Sequence, residues 1–424
     1  MVSRLTSIAA LLMGTLVFML GNGLLGTLVA VRLTVAGHDA VVAGVVMAAY
    51  FAGLIAGCLR AAAIVAAVGH IRAFAVFAGS SAALAATFSL VADPIAWALL
   101  RFLGGFAIAG LFMVIESWLN DATENDWRGR ILSTYMVVVY LSLGAGQLLL
   151  GIYALEGHQL FAVVSMLFAL SLIPVSMTRQ VAPVIPETEI LGLRALFQIS
   201  PLGAVGSGAA GLVLGAFYGL APVFAQKVGI GVNGVGLLMA AAIVGGLLIQ
   251  FPVGFLGDRL DRRLVLTASF GIVTVSAVAV AFASLSDNIW LIGACAAGLC
   301  CAFAFYPLSI GHANDRVHGG SRIAIAGGLL LTYSTGAVLG PLLAAGAMSL
   351  IGPYGLFVHF AAVAGLTGGF ALYRMRATPP VPADEQGAAQ LMPSTTPLAP
   401  VLDPTATDEP MTDLDGNTVG AETA

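Results

Sequence analysis

Charge is the scarcest property of this sequence. Only 9% of its 424 residues are Asp, Glu, Lys or Arg, whereas a soluble domain carries about a quarter. That shortage excludes a soluble enzyme and a solvated, disordered chain. It also excludes a nucleic-acid binder, which needs a basic surface. Cysteine is scarce as well. Cys58, Cys295, Cys300 and Cys301 form no C-x-x-C and no metal-ligand spacing. They read as small apolar residues, and neither a metal nor a cofactor is expected. No Walker loop, G-x-S-x-G elbow or H-E-x-x-H occurs. An ATP-driven pump and a hydrolase therefore lack support, and the chain reads as a non-enzyme.

What remains is apolar. Hydrophobic residues make up 59% of the chain and glycine supplies 52 positions; the mean hydropathy is +1.00. Uncharged runs cover 5–31, 40–59, 73–92, 102–115, 131–155, 157–178, 195–226, 228–257, 264–286, 288–314 and 323–373. A helix crosses a hydrocarbon core in about 20 residues. The last run is long enough for two crossings, with Gly352-Pro353 as the break. These runs are far longer than barrel strands need. The spacing predicts an all-α membrane protein of twelve transmembrane helices: 8–31, 40–62, 72–92, 95–117, 131–152, 158–177, 202–225, 234–256, 264–285, 289–311, 323–349 and 353–373. The first is too long for a signal peptide and lacks a small-residue cleavage site.

The basic residues set the orientation. An even number of spans puts both ends on one side. All 17 basic residues except Arg32, Arg101 and Lys227 fall on that side. The positive-inside rule then makes both termini cytoplasmic. Residues 1–376 hold all 17 bases and 13 of the 21 acids, leaving a body of +4. The tail from 377 holds eight acids and no base, which produces the overall −4. It is rich in Pro, Thr and Asp and is expected to be a disordered, solvated cytoplasmic extension.

The chain repeats itself. Asn120-Asp121 precedes Arg128 as Asn314-Asp315 precedes Arg322, at an offset of 194. Gly69-His70-Ile71-Arg72 corresponds to Asp261-Arg262-Arg263 at 192, and Leu25–Val31 resembles Tyr218–Phe224 at 193. Three matches in order at nearly one offset point to two pseudo-symmetric six-helix halves. The expected organisation is a first half at 1–177, a cytoplasmic linker at 178–201, a second half at 202–376 and the tail at 377–424. Repeats of this kind hold a binding site at their interface near the midplane.

Gly254-x-x-x-Asp258-Arg259-x-x-Arg262-Arg263 lies between helices eight and nine. It resembles the G-x-x-x-D-R-x-G-R-R pattern of the major facilitator superfamily, with Asp261 in place of the second Gly. The first-half copy has Ala66 at the Asp position. The stretches Arg101–Gly105, Ala107–Asn120, Arg128-Gly129-Arg130, Ser200–Gly203, Gly219–Pro222 and His312–Asp315 are similar to the YcaD-type branch of that superfamily. The resemblance covers residues 1–376. It implies a transporter in the bacterial inner membrane, with an Asp258 loop that meets the start of helix five near Arg128 and Arg130. There the Asp would gain from the helix dipole and from Arg130, forming a conformational latch. The superfamily's antiporter motif belongs on helix five. Its likeness here, Gly336-x-x-x-Gly340-Pro341, lies on helix eleven, while helix five has Gly144-Ala145-Gly146-Gln147 without Pro.

Charges inside spans cost at least a few kcal/mol and call for a reason. Arg101, with Gly105 and Ala109 one and two turns on, either lines the cavity or snorkels to the outer headgroups. Arg32 faces the same choice at the end of helix one. Glu116 lies about 22 Å farther along helix four than Arg101. It is either a proton site or a structural carboxylate paired with Arg128 or Arg130. Further cavity candidates are Asn22, Tyr140, Gln147, Tyr218, Gln250, Tyr306, Tyr333 and His359, with Glu116 and His359 as proton carriers. Each polar residue also has a plainer reading as an interhelical hydrogen bond.

The expected function is proton-coupled efflux of a small organic solute by a monomeric secondary transporter working by alternating access. Its expected partners are that solute, the bilayer and protons, and no nucleic acid. Uptake of a small anion is the alternative within transport. A non-transporting receptor or scaffold on the same fold is the alternative outside it.

Overall fold

The computed structural model describes residues 2–123, 127–178, 191–283, 289–318, 322–377 and 412–413. Much of the expected linker and nearly all of the expected tail lie outside these residues. Among the described residues twelve helices are long and apolar enough to cross a membrane. They are α1 (Thr6–Val35), α2 (Ala40–Val68), α3 (His70–Phe88), α4 (Pro94–Ala122), α5 (Arg128–Gly151), α6 (Gln159–Ser176), α7 (Pro201–Lys227), α8 (Val232–Gly257), α9 (Arg262–Ala283), α10 (Ile292–Asn314), α11 (Ala324–Ile351) and α12 (Gly355–Ala377). A short helix, Leu193–Ile199, precedes α7. Among the described residues the only strand pairing joins Val317–His318 to Thr412–Asp413.

Local chemistry sets the boundaries. Asp39 caps α2 by accepting from the Val42 amide at 2.9 Å. Asp93 caps α4 through the Ala96 amide at 2.8 Å, ahead of Pro94 in the first turn. Gly69, with φ 82°, takes the left-handed backbone that separates α2 from α3. Arg101 does not interrupt α4, which runs unbroken past it. By contrast, α10 is broken in its middle. Gly298–Ala304 is a 3₁₀ segment between two α-helical pieces. Pro307 explains this: it cannot donate to the carbonyl four residues back, and its ring crowds that turn.

The chain gathers into two compact units. The first comprises Met1–Pro186 with Gly215–Val244 and Val338–Leu356. It thus holds α1–α6 together with Gly215–Lys227 of α7, Val232–Val244 of α8 and Val338–Ile351 of α11. Its core is aromatic: Phe18 stacks on Phe168 at 4.4 Å, and Phe88 on Phe161 at 5.7 Å. Glycines let backbones meet. A Cβ on Gly105 would collide with the Tyr50 carbonyl, and one on Gly53 with that of Phe102. In the same unit a Cβ on Gly44 of α2 would lie 2.8 Å from the Pro341 carbonyl of α11. One on Gly236 of α8 would lie 2.6 Å from the Gln147 carbonyl of α5. So α2 packs closely on α11, and α5 on α8. The second unit comprises Glu187–Leu214, Gly245–Ala337 and Phe357–Ala424. There Phe270 and Phe305 pack at 4.3 Å, and Gly211 admits the Tyr333 carbonyl where α7 meets α11.

Candidate functional site

Helix α4 carries two buried ionisable groups within the span. Arg101 is 5% exposed and Glu116 is fully buried. The Arg101 guanidinium does not reach a surface, as snorkelling would require; it lies over the Tyr50 ring of α2, 4.3 Å from the centroid. Tyr50 in turn hydrogen-bonds the Asn22 side chain of α1. Arg101 Nε is buried without a hydrogen-bond partner. This first-unit cluster brings together two expected residues, Asn22 and Arg101, through a tyrosine that sequence reasoning passed over. The cluster forms because Gly53 and Gly105 allow α2 and α4 to touch.

Glu116 accepts a hydrogen bond from the Tyr135 hydroxyl of α5 at 3.1 Å. The sequence offered Arg128 or Arg130 as its neutralising partner. Arg128 Nε is buried and unpartnered, and Arg130 is exposed and lies over Trp127 at 4.9 Å. Tyr135 escaped notice because a phenol inside an apolar run leaves no charge signal.

The remaining candidates divide between the units. In the first, Thr27 donates to Gln147 at 2.5 Å, tying α1 to α5. Tyr140 and Tyr218 are half-buried, and Tyr218 packs edge-on to Phe217 at 5.2 Å. Arg32 donates to the carbonyls of Leu155 and Gly157 and lies 5.8 Å from the Phe161 ring. It therefore straps the loop between α5 and α6 to the end of α1. In the second unit, Tyr306 and Tyr333 pack at 5.1 Å, beside the broken stretch of α10. Gln250 donates to the Gly246 carbonyl at 3.0 Å. His359 is buried and bonds the Leu212 carbonyl at 3.1 Å, which requires a proton on Nε2.

The α8–α9 loop forms a charge network within the second unit. Buried Arg262 donates to Asp315 at 2.6 Å and lies 3.5 Å from exposed Asp258. Gly311 leaves room for that guanidinium, since a Cβ there would lie 2.9 Å from it. Arg263 grips Asp261 through both carboxylate oxygens at 2.7–3.1 Å. Burial pushes the Asp261 carboxyl up, but the hydrogen bonds and charge of Arg263 outweigh it and hold the group below its ordinary value. Burial, then repulsion from Arg263 and Arg374, lowers Arg316 from its usual value. Arg259 lies over Phe255 at 4.0 Å, both exposed, and Gly254 is half-buried. Among the described residues no group of three or more His, Cys, Asp or Glu is placed to hold a metal.

A sequence model of the Major Facilitator Superfamily matches residues 203–407. The uncharacterized MFS-type transporter YcaD of Escherichia coli O17:K52:H18 is 30% identical over 357 residues, spanning 83% of this chain and 92% of its own. YcaD of Shigella flexneri gives the same figures. Among solved structures, a mutant of the nucleoside transporter NupG superposes with a TM-score of 0.72 at 16% identity, over 87% of this chain and all of its own. A bacterial homologue of the human lysosomal transporter Spinster, inward-facing and occupied, gives 0.71 at 14% identity, over 91% and 98%. At such identities these structures establish the fold.

Proposed function

The chain belongs to the major facilitator superfamily and is a multi-pass membrane transporter of the YcaD type, and from that premise we propose that it exports a small organic solute in exchange for protons. The proposed setting is the bacterial inner membrane with both termini cytoplasmic, which the basic residues of 1–376 favour. The proposed mechanism is alternating access between two six-helix halves, 1–177 and 202–376. The close packing of α2 on α11 and of α5 on α8 favours it, because glycine contacts of this kind can separate without breaking polar bonds.

The observation that carries the reading is the pair of buried ionisable groups on α4. Glu116, fully buried and bonded to Tyr135, is the proposed proton carrier. Its neutral form suits an apolar site, and its charged form has the phenol as donor. His359 is a second carrier candidate, already committed through Nε2 to Leu212. Arg101 with Tyr50 and Asn22 forms the proposed solute contact. Uptake of a small anion is the second reading, favoured by the unpartnered Nε of Arg101.

The test begins with a ligand screen by thermal shift on purified protein. Flux of the hits into proteoliposomes is then measured with and without a pH gradient. Gradient-driven flux that Arg101→Ala abolishes is expected. Flux indifferent to the gradient overturns the proton-coupled reading. Full transport by Arg101→Ala overturns the role given to that residue.

A further inference from the structure

His70 stands in the first half where Arg262 stands in the second, by the offset of 192 between the two loops. Each opens its helix, α3 or α9. Each reaches the end of the helix that follows in its bundle. Arg262 reaches Asp315, just past α10, and His70 reaches Ser117 in the last turns of α4, Nε2 to Oγ 2.8 Å. Asp121 corresponds to Asp315 by the offset of 194. It lies one turn past Ser117 on the same face of α4. The two ends match in a further detail: Oδ1 of Asn120 and Oδ1 of Asn314 are both buried without a partner.

The difference lies in the proton. An arginine keeps its charge, whereas a histidine takes one on or releases it. Ser117 Oγ also lies 2.7 Å from the Met113 carbonyl and donates its one hydrogen there. With the serine hydrogen on that carbonyl, His70 Nε2 is the donor to Ser117 and Nδ1 a bare acceptor. The ring is 3% exposed, and Nδ1 has no hydrogen-bond partner. A buried acceptor without a donor is costly. A proton on Nδ1 would turn it into a donor and give the ring a charge that Asp121, exposed at the end of α4, attracts.

We propose that His70 is a proton-binding site whose protonation creates a His70–Asp121 ion pair, the first-half counterpart of Arg262–Asp315. Among the described residues the groups around the ring are few. From α4 the charge of Asp121 reaches it, Glu116 is engaged by Tyr135, and Asn120 is neutral. Its own helix carries Arg72, and the nearest ionisable groups of α2 are Cys58 and Arg60. Helix α6 has none. The N-terminus of α3 opposes the added charge, and the C-terminus of α4 favours it. The site is separate from the carriers named above and would operate whether or not Glu116 moves protons.

Trp118 reports on the ring directly, since it lies edge-on to His70 at 6.2 Å. A protonated imidazole quenches a neighbouring indole, so tryptophan emission of the full chain in nanodiscs is followed from about pH 7.5 to about pH 4. Wild type is expected to lose an acid-dependent component no larger than the share of one of its four tryptophans. That component should vanish in His70→Gln and shift in Asp121→Asn. His70→Arg, which carries no titrating imidazole, should likewise show no such acid response. An identical acid response in wild type and His70→Gln overturns the proposal. Should His70→Gln fail to fold, an unshifted acid component in Asp121→Asn overturns it equally.

Discussion

At the scale of the residue, burial separates charges that sequence treats alike. Arg259, Arg262 and Arg263 are near neighbours in one motif, yet Arg259 is exposed while the other two are buried. Arg262 is held by Asp315 at 2.6 Å, and both side chains are almost inaccessible. Breaking a buried pair costs about 3–5 kcal/mol. Arg262→Ala should therefore lower stability by about that much in denaturant titration of the solubilised protein, while Arg259→Ala should change it little. Asp261 supports a pH prediction. Its carboxyl is held below the ordinary value by Arg263. The stabilisation is therefore present above the ordinary carboxylate range and is lost as pH falls through the depressed value. Asp261→Asn should be less stable than wild type at neutral pH, and the gap should close as pH falls below the ordinary carboxylate range. A gap that persists in acid contradicts this.

At the scale of the element, the sequence carried the helices well and their faces poorly. Each of the twelve spans was legible because a charge-free run of about 20 residues is a one-dimensional signal. Even α4, with Arg101 inside it, ran through as one helix. Partners were not legible. Hydropathy cannot show that Tyr50 lies under Arg101, or that Tyr135 rather than an arginine bonds Glu116. Nor did it foretell the 3₁₀ stretch of α10, although Pro307 carries a local signal for a broken helix. Neighbouring glycines show the same limit. Gly104 and Gly105 are equal in sequence, yet a Cβ on Gly104 meets nothing within 4 Å while one on Gly105 strikes the Tyr50 carbonyl. Gly105→Val should thus abolish a monodisperse peak in fluorescence-detected size-exclusion, and Gly104→Val should retain it. Equal behaviour of the two variants would refute the close packing of α2 on α4.

At the scale of the whole molecule, the family and the multi-pass membrane character follow from the comparisons and the helices, while the orientation and the working cycle are proposals. The motif of α8 and α9 keeps its Asp258, and the first-half position has Ala66. If the second-half loop is the principal cytoplasmic latch, Asp258→Asn should raise the inward-open population more than Ala66→Asp lowers it. Distances between spin labels across the cytoplasmic mouth measure this, and unchanged distances in Asp258→Asn would count against the latch. The central claim is that a proton gradient drives solute movement through groups buried on α4. The most direct measurement is flux of an identified solute in proteoliposomes under an imposed pH gradient, for wild type and Glu116→Gln side by side. The expected result is gradient-driven accumulation by wild type and only downhill exchange by Glu116→Gln. Equal gradient-driven accumulation by both would contradict the role of Glu116, and flux blind to the gradient in wild type would contradict proton coupling itself.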